Sequence, residues 1–410
     1  MKHTDTNWES SIDINKVIEI RGRNHVFLGV GAILKMKDIA TDMAGRSIKK
    51  VIIICGKNSY IKTGAWAVIE PALKENHIEY VLFNKVTPNP TDTQVDEATK
   101  IALDFGAQAV IGIGGGSPID TAKSVAILMK YAGKTAEDLY QFRFTPDTAV
   151  PILAVNTTHG TGTEIDRFAV VTVTKNEFKP AIAYDCIYPT WAIDDPALMT
   201  GLPENQTRYV SIDAVNHVVE AATTVVNSPF TVMLAKETIR LVHKYLPVVL
   251  KDPMNLEARY FLLYASMIAG MAFDNGLLHF THALEHPLSA VKPDLAHGLG
   301  LSMLLPSVVK TIYPAQSKVL AELFADVVPG LQGTPDEDMM IAKGIEKWLF
   351  EVGITQKLKD EGFTEKDVDR LVDLTFETPS LGGLLGIAPV TADRDAVRKI
   401  YSESLNPYNK

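Results

Sequence analysis

Carboxylate and imidazole side chains recur at helical spacing in the second half of this 410-residue chain. Asp213 and His217 are four residues apart, which places both on one face of a helix, one turn apart. Four of the ten histidines then fall within residues 279–297, namely His279, His282, His286 and His297. Together with Asp213 they indicate a divalent-metal site. Imidazole and carboxylate ligands without thiolate suit Fe²⁺, Zn²⁺, Co²⁺ or Ni²⁺.

A glycine-rich turn in the first half could bind an anion. The apolar strand Ala109–Ile113 runs into three glycines, and Ser117 and Pro118 follow as the expected N-cap and first residue of a helix. Glycines allow close approach of a ligand, and the N–H groups of a helix N-terminus attract a diphosphate. The turn matches neither G-x-G-x-x-G nor the Walker A ending. A tight turn without a ligand is the alternative.

A second polar loop supports the nucleotide interpretation. The predicted strand Pro151–Val155 leads into residues 156–164, a run of small hydroxylated residues and glycines. Such side chains can line a nucleotide site, although an ordinary Ser/Thr turn is the alternative. Two such loops in one sheet domain favour nucleotide binding.

The elements that would position these residues differ between the two halves of the chain. In the first half, short apolar strands alternate with helical stretches, which predicts a parallel sheet that binds ligands at the carboxyl ends of its strands. The predicted strands are Val51–Cys55, Tyr80–Phe83, Ala109–Ile113, Pro151–Val155, Ala169–Val173 and Trp191–Ile193. The helices predicted between them are Lys62–His77, Asp92–Phe105 and Ile119–Tyr131.

After Asp195 the strand pattern ends, and long periodic segments predict helices. These are Glu204–Val226, Phe230–Leu250, Leu256–Phe273, Leu299–Thr311 and Asp338–Val352. The predicted fold class is therefore α/β. A Rossmann-like parallel-sheet nucleotide-binding domain, residues 1–198, precedes an all-α metal-binding domain, residues 199–410. Cofactor and substrate would meet in the cleft between them.

Composition narrows the class of protein. Apolar residues make up 46% and charged residues 22% of the chain, and the net charge of -9 argues against nucleic acid or an anionic membrane as a partner. Cys55 and Cys186 are the only cysteines, so neither a disulfide framework nor a cysteine-based zinc cluster is expected. No apolar run reaches ~18 residues, and Met1–Ser11 lacks the apolar stretch of a signal peptide. We therefore expect a cytoplasmic enzyme.

Several motifs together resemble the iron-containing (group III) alcohol dehydrogenase family over nearly the whole chain. They are Pro88-Asn89-Pro90-Thr91, Gly114-Gly115-Gly116-Ser117-Pro118 with Asp120 and Lys123, Asp213-x-x-x-His217, Gly270-Met271-Ala272-Phe273, His282-x-x-x-His286-Pro287, His297-Gly298 and Asn406-Pro407. Each glycine element alone is weak evidence, whereas the set is specific.

The resemblance implies a role for each matching residue. It places the metal on Asp213, His217, His282 and His297. It puts His286 near the nicotinamide, where it is our candidate for relaying a proton. It transfers no role to His279, which we interpret as a structural residue. Asp166 and Phe273 would border the substrate pocket. The implied cofactor contacts are Asn89, Gly115, Gly116, Ser117, Asp120, Thr157, Thr158, Thr161, Lys179 and Leu198.

The chain departs from the family pattern at three places. Residues 160–164 read Gly-Thr-Gly-Thr-Glu where Gly-Thr-Gly-Ser-Glu is usual, and Asp166 stands where asparagine is common. The interval from His282 to His297 is one residue longer than expected, which makes His297 the ligand with the weakest support.

The residues of the loop after the first predicted strand bear on whether the enzyme prefers NAD(H) or NADP(H). Family members restricted to NAD often carry an aspartate there, whereas this chain has Gly56, Lys57 and Asn58. Nothing at this position repels a 2′-phosphate, and Lys57 or Lys179 could pair with it. The sequence therefore predicts NADP(H) over NAD(H).

These observations predict a dehydrogenase that interconverts small aliphatic alcohols and aldehydes. The expected ion is Fe²⁺, with Zn²⁺ as the alternative, and we expect a homodimer or higher homo-oligomer. The alternative functions are a glycerol dehydrogenase, a hydroxyacid–oxoacid transhydrogenase, a dehydroquinate-synthase-like lyase and a non-catalytic metal-binding protein.

Overall fold

A six-stranded parallel sheet forms the first half of the molecule. The computed structural model describes Trp8, residues 20–23 and residues 25–409, so most of the segment judged for a signal peptide lies outside the described residues. The sheet order is β1-β8-β5-β4-β2-β3. Its strands are β1 (Val26–Leu28), β2 (Lys50–Gly56), β3 (Glu79–Val86), β4 (Ala109–Gly114), β5 (Ile152–Asn156) and β8 (Trp191–Asp194).

Helices cover both faces of this sheet. They are α1 (Met36–Gly45), α2 (Ser59–Lys62), α3 (Trp66–Glu75), α4 (Asp92–Phe105), α5 (Gly116–Leu128) and α6 (Ala136–Tyr140). Alternate residues of β2 pack into two separate cores, with Ile53 on one face and Ile52 on the other. Burial on both faces explains why the central strands are continuous apolar runs.

Two predictions for the first half were wrong in detail. Ala169–Val173 is not a strand of the main sheet, because β6 (Phe168–Val170) pairs antiparallel with β7 (Ala181–Ala183), and Thr172 bonds to the Pro90 carbonyl instead. The helix predicted over Lys62–His77 is shorter, because Lys62 is the last residue of α2 and Gly64, with a φ of 85°, separates it from α3.

The second half of the described chain is helical, as predicted. Its helices are α7 (Glu204–Ala221), α8 (Pro229–Lys251), α9 (Leu256–Gly276), α10 (Phe280–Val291), α11 (His297–Leu323), α12 (Asp338–Glu351), α13 (Glu365–Glu377), α14 (Leu381–Leu385) and α15 (Arg394–Ser404). The division of the chain at residue 198 stays a prediction. Among the described residues, no single helix is long and apolar enough to cross a membrane; α9 and α10 pass only as a pair bent by 107°.

The loop after β5 packs directly against the helical half. A Cβ atom on Gly160 would lie 2.1 Å from the Val210 carbonyl oxygen of α7. A Cβ atom on Gly162 would lie 2.6 Å from the Cα atom of Gly270 in α9. Glycine is required at both contacts, since any side chain would push the two halves apart. This contact brings the polar loop of the sheet next to the predicted metal ligands.

Candidate active site

Helices α7 and α10 bring three predicted metal ligands together. The Asp213 Oδ1 atom lies 3.6 Å from His217 Nδ1 and 3.7 Å from His282 Nε2. The His217 and His282 rings stack with their centroids 4.5 Å apart. All three side chains are buried. The helical spacing of Asp213 and His217 therefore places them on one face, and α10 supplies the third residue.

Two buried atoms of this group have no hydrogen-bond partner within the described part of the chain. They are Asp213 Oδ1 and His282 Nε2, which face each other. Leaving such atoms unpaired costs about 1–3 kcal/mol each. A divalent cation would satisfy both at once, and imidazole with carboxylate suits Fe²⁺ or Zn²⁺. The residues therefore fit the metal that the sequence predicts.

The Nδ1 atoms of His217, His282 and His297 each contact an oxygen atom of a neighbouring residue. His217 Nδ1 lies 3.2 Å from the carbonyl oxygen of Gly160, to which it can donate. His282 Nδ1 contacts Glu220. His297 Nδ1 contacts Glu285 in the same way. Metal-bound histidines usually donate their other N–H to a carboxylate or a carbonyl, which leaves Nε2 for the ion.

Glu220 and Glu285 were not among the residues predicted from the sequence. Glu220 is seven residues after Asp213 and three after His217, so all three share one face of α7. Its position on a helical face with two predicted ligands could have indicated from the sequence that Glu220 belongs to the site. Glu285 lies beside His286, and nothing in its spacing distinguished it from a solvent-exposed residue.

His297 lies beside the three converging ligands and begins α11. Its ring centroid is 5.4 Å from that of His282. Its ligand atom also groups with those of Glu285 and His286, all within 4.8 Å of one another. The Lys179 Nζ atom is 3.4 Å from both Glu285 Oε2 and His297 Nδ1. His297 as fourth ligand stays a prediction.

The charges of the site shift the pKa values of its members. Burial raises the pKa of Asp213, but the neighbouring imidazoles lower it more, so it lies below its usual value. Burial lowers the pKa of His282, yet Glu220 and Asp213 raise it to about 9. Burial takes the pKa of His217 down to about 4. The Asp213 carboxylate therefore stays charged and attracts a cation.

His286 is also buried, and its Nδ1 atom has no hydrogen-bond partner among the described residues. Its ring centroid lies 5.8 Å from that of His297 and 6.4 Å from that of His282. Burial and the nearby charge of Lys179 hold its pKa well below the usual value. The imidazole is therefore neutral, and its Nδ1 atom is available for a hydrogen bond with a group outside the described residues.

The glycine turn (residues 114–118) and the polar loop of residues 156–164, from here on called the threonine loop, meet at the carboxyl edge of the sheet. Gly114, Asn156 and Asp194 end β4, β5 and β8 in register. A Cβ atom on Gly115 would lie 2.5 Å from Thr158 Oγ1, and one on Gly116 would lie 3.1 Å from Thr161 Cγ2. The glycines predicted to bind the diphosphate and the threonines predicted to line the rest of the nucleotide are thus neighbours in space.

The start of α5 differs from the expected start. Gly115 is the N-cap and Gly116 the first helical residue, so Ser117 lies inside the helix and is not the cap. No side chain caps this end. Gly115, Gly116 and Ser117 are all half-buried. Because a glycine N-cap brings no side-chain oxygen, the N–H groups of the first turn stay available for an anion.

Two predicted site carboxylates are engaged by the protein itself. Asp120 accepts hydrogen bonds from Thr163 Oγ1 at 2.6 Å and from the Val170 N–H at 2.9 Å. Asp166 Oδ1 pairs with the buried Lys123 ammonium at 2.8 Å. Their predicted contacts with cofactor and substrate stay predictions, and the structure gives both a role in joining β6 and the threonine loop to α5.

The other predicted cofactor residues are spread along the cleft. The Asn89 side chain donates to the carbonyl oxygens of Pro293 at 2.9 Å and Leu295 at 3.3 Å, which links the two halves. Lys179 is buried beside the histidines. The remainder are Thr157, which is buried at the strand end, Leu198, which packs in the sheet core, Gly56, which is half-buried, and Lys57 and Asn58, which are exposed.

Aromatic rings border the metal ligands. Phe273 stacks on His217 with a centroid separation of 4.5 Å and contacts Phe168 at 5.5 Å. A sheet edge with the predicted nucleotide residues, next to a buried group of predicted metal ligands with an aromatic border, is the arrangement expected of a metal-dependent dehydrogenase.

Comparison with known proteins identifies the family. The model of the iron-containing alcohol dehydrogenases matches residues 23–196, and the model of the C-terminal domain of the same family matches residues 207–405. The chain belongs to the iron-containing alcohol dehydrogenase family. It is an oxidoreductase that acts on alcohols, and its family implies a divalent metal and a nicotinamide cofactor.

Relatives agree over almost the full length. A long-chain primary alcohol dehydrogenase, AdhA of Thermoanaerobacter ethanolicus, is 58% identical and aligns over 97% of this chain and 100% of its own length. An NADPH-dependent butanol dehydrogenase of Clostridium saccharobutylicum is 30% identical over 92% of this chain and 95% of its own. The NADH-dependent butanol dehydrogenase A of Thermotoga maritima superposes with a TM-score of 0.84 at 31% identity, covering 95% of this chain and 99% of its own.

Proposed function

We propose that this enzyme interconverts primary aliphatic alcohols and aldehydes at a divalent ion held by Asp213, His217, His282 and His297. When bound, the ion supplies Lewis-acid polarisation of the substrate oxygen. The observation that carries the proposal is Phe273, stacked 4.5 Å from the His217 ring. An apolar ring beside a ligand imidazole favours a hydrocarbon chain next to the reacting oxygen.

The names of the relatives support this substrate class, since two of them act on butanol and one on long-chain primary alcohols. We also propose that NADP(H) is preferred. The exposed Lys57 follows β2 in a loop without a carboxylate between residues 56 and 59, so a 2′-phosphate would meet a cation there. Lys179 is engaged with Glu285, which leaves Lys57 as the better partner for that phosphate.

His286 is the proposed proton relay. Its Nδ1 atom is buried without a partner in the described chain and is free to accept a proton from the substrate hydroxyl side of the cleft. Replacing it by alanine should lower kcat for alcohol oxidation about 10²-fold and flatten its pH profile, with the metal content unchanged. An unchanged kcat at every pH would remove His286 from the reaction.

Anaerobic reconstitution tests the whole proposal. The apo-enzyme is loaded with Fe²⁺, Zn²⁺, Co²⁺ or Ni²⁺, and aldehydes from ethanal to octanal are reduced with NADPH or NADH. We expect turnover only in the loaded enzyme, and a higher kcat/KM with NADPH. Metal-independent turnover would contradict the metal site, whereas a higher kcat/KM with NADH would contradict only the cofactor preference.

We further propose a cytoplasmic homodimer or higher homo-oligomer. The edge strand β1 is followed by Val30 and Leu34, which are 58% and 67% exposed and offer an apolar surface. Sedimentation velocity at micromolar concentration tests the assembly, and a monomer there would contradict it. Cell fractionation tests the location.

A further inference from the structure

The Glu220 carboxylate lies at a junction between α7 and the beginning of α10. Its Oε1 atom accepts the backbone N–H groups of His279 at 3.0 Å and Thr281 at 2.7 Å. The N–H of His282 is 3.3 Å from the same oxygen. Its Oε2 atom makes no backbone contact of this kind and points at His282 Nδ1. The side chain is completely buried.

The two oxygens therefore carry separate tasks. Oε1 fixes the position of the α10 N-terminus, whose free N–H groups favour a negative charge. Among the described residues, the hydrogen-bond partner of Oε2 is the His282 imidazole. If Nδ1 of that ring carries the proton, its lone pair is on Nε2, which is 3.7 Å from Asp213 Oδ1.

His279 provides an internal contrast, because it is the other histidine next to Glu220. Its Nδ1 accepts the N–H of Phe280 at 2.7 Å, and its Nε2 lies 2.9 Å from Thr223 Oγ1. Both nitrogens are thus engaged by the protein, and no lone pair is left for an ion. His282, three residues later, keeps Nε2 open. The different partners of their ring nitrogens distinguish the proposed ligand from the structural histidine.

We propose that Glu220 is a positioning residue for the metal, which fixes His282 in the tautomer with the proton on Nδ1 and so aims Nε2 at the ion beside Asp213. This inference rests on the proposed metal site. A carboxylate in this position also makes the histidine a more basic, stronger metal ligand. Loss of such a partner typically weakens metal binding about 10- to 100-fold.

Glu220→Gln tests the proposal with little change of shape. The glutamine carbonyl can still accept the α10 N–H groups, but its amide donates to His282 Nδ1 and forces the proton onto Nε2. We expect Co²⁺ and Zn²⁺ to bind the variant about 10- to 100-fold more weakly in competition with a chelator of known affinity, while the melting temperature of the apo-protein changes little.

Glu346→Gln is the matched control. Glu346 is also a completely buried glutamate of the helical half; it pairs with Lys357 at 2.9 Å and accepts the N–H groups of Tyr408 at 3.1 Å and Asn409 at 2.7 Å. Because it lies away from the ligands, its variant should keep wild-type Co²⁺ affinity. Equal loss in the two variants, or no loss in Glu220→Gln, would overturn the proposal.

A measurement on the zinc-loaded wild type decides the matter if Glu220→Gln does not fold. Nitrogen-15 histidine spectra, with His282 assigned from a His282→Gln variant, should show its proton on Nδ1 and zinc on Nε2. A proton on Nε2 would overturn the positioning role. If no variant or wild-type protein takes up Zn²⁺ or Co²⁺ at all, the proposed metal site itself fails, which is a distinguishable result.

Discussion

The sheet edge with the proposed cofactor residues and the helical surface with the proposed metal ligands differ in the kind of side chain that forms them. At the sheet edge, half-buried glycines and small threonines leave backbone N–H groups open, and tight contacts such as Gly115 against Thr158 define the shape. At the metal face, buried charged side chains converge and leave Asp213 Oδ1 and His282 Nε2 unpaired in the described chain. The proposed cofactor site thus depends on small side chains, whereas the proposed metal site depends on buried charged and polar atoms that a cation would pair.

Replacing a metal ligand should produce the largest effect and spare the sheet edge. Asp213→Asn keeps the side-chain volume but exchanges a carboxylate for a neutral amide, which is a weaker ligand. We expect metal affinity to fall at least about 100-fold and kcat at least about 10³-fold. Elemental analysis and steady-state kinetics measure both.

The same Asp213→Asn protein supplies the test of separation between the two regions. Its nicotinamide cofactor affinity, measured by fluorescence titration, should stay within about twofold of wild type, because Asp213 lies in α7 and belongs to neither loop predicted to bind the nucleotide. A parallel loss of cofactor and metal binding would show that the two sites do not act independently.

Added volume at the sheet edge should have the reverse pattern and a smaller size. In Gly115→Ala the new Cβ atom would meet Thr158 Oγ1 at 2.5 Å and displace the loop that faces the diphosphate. We expect the KM for the cofactor to rise about 10-fold, which corresponds to roughly 1.4 kcal/mol, with metal content unchanged. Kinetics and elemental analysis check the two parts.

Gly45→Ala is the control for this substitution. Gly45 ends α1, and a Cβ atom there would meet nothing within 4 Å. Its KM for the cofactor should equal that of the wild type. An unchanged KM in Gly115→Ala would mean that shape at this edge is not what the cofactor recognises.

The smallest expected effect concerns the sheet edge, which also contains a pair of buried carboxyl groups, Asp194 and Glu164. Burial raises the pKa of Asp194 to about 7. The pKa of Glu164, which hydrogen bonds to Asp194, is raised well above its usual value by burial and by the charge of Asp194. A carboxyl group whose folded pKa is raised stabilises the fold below its unfolded pKa and loses that contribution as the pH rises. Stability should therefore decline from about pH 4 to about pH 7.

Asp194→Asn should flatten this decline, since the amide can still accept from Asn156 Nδ2, as Asp194 does at 3.1 Å. We expect the variant to gain on the order of 1 kcal/mol at pH 8 relative to pH 5 when compared with wild type. Urea unfolding at several pH values measures the slope. Asp104→Asn on the surface should leave the slope as it is, and an unaltered slope in Asp194→Asn would contradict the assignment.

The difference between the two regions also explains what the sequence could predict. Continuous apolar runs such as Val51–Cys55 and helical spacing such as Asp213 with His217 are local patterns, and each led to the correct element. β1 and β7 were missed because three-residue strands carry too little pattern. Ser117 was misjudged as the cap because the sequence does not reveal where the helix starts among adjacent glycines.

Tertiary contacts account for the remaining gaps in the site. Glu220, 62 positions from His282, shows its role only through the fold. Lys179 stands in a charged stretch of sequence that is typical of a surface loop, yet it is buried beside His297. Asp166 could not be connected to Lys123 from sequence, because 43 positions separate them.

The ammonium of Lys179 has a consequence for metal stoichiometry. Glu285, His286 and His297 form a second group of potential ligands next to the first. A second divalent ion there would sit against the Lys179 Nζ atom, which is already 3.4 Å from both Glu285 Oε2 and His297 Nδ1. Repulsion between like charges at such distances is strong in a buried environment. At the proposed metal site, the Lys179 side chain would therefore oppose a second divalent ion beside the first, which favours a mononuclear centre over a binuclear one.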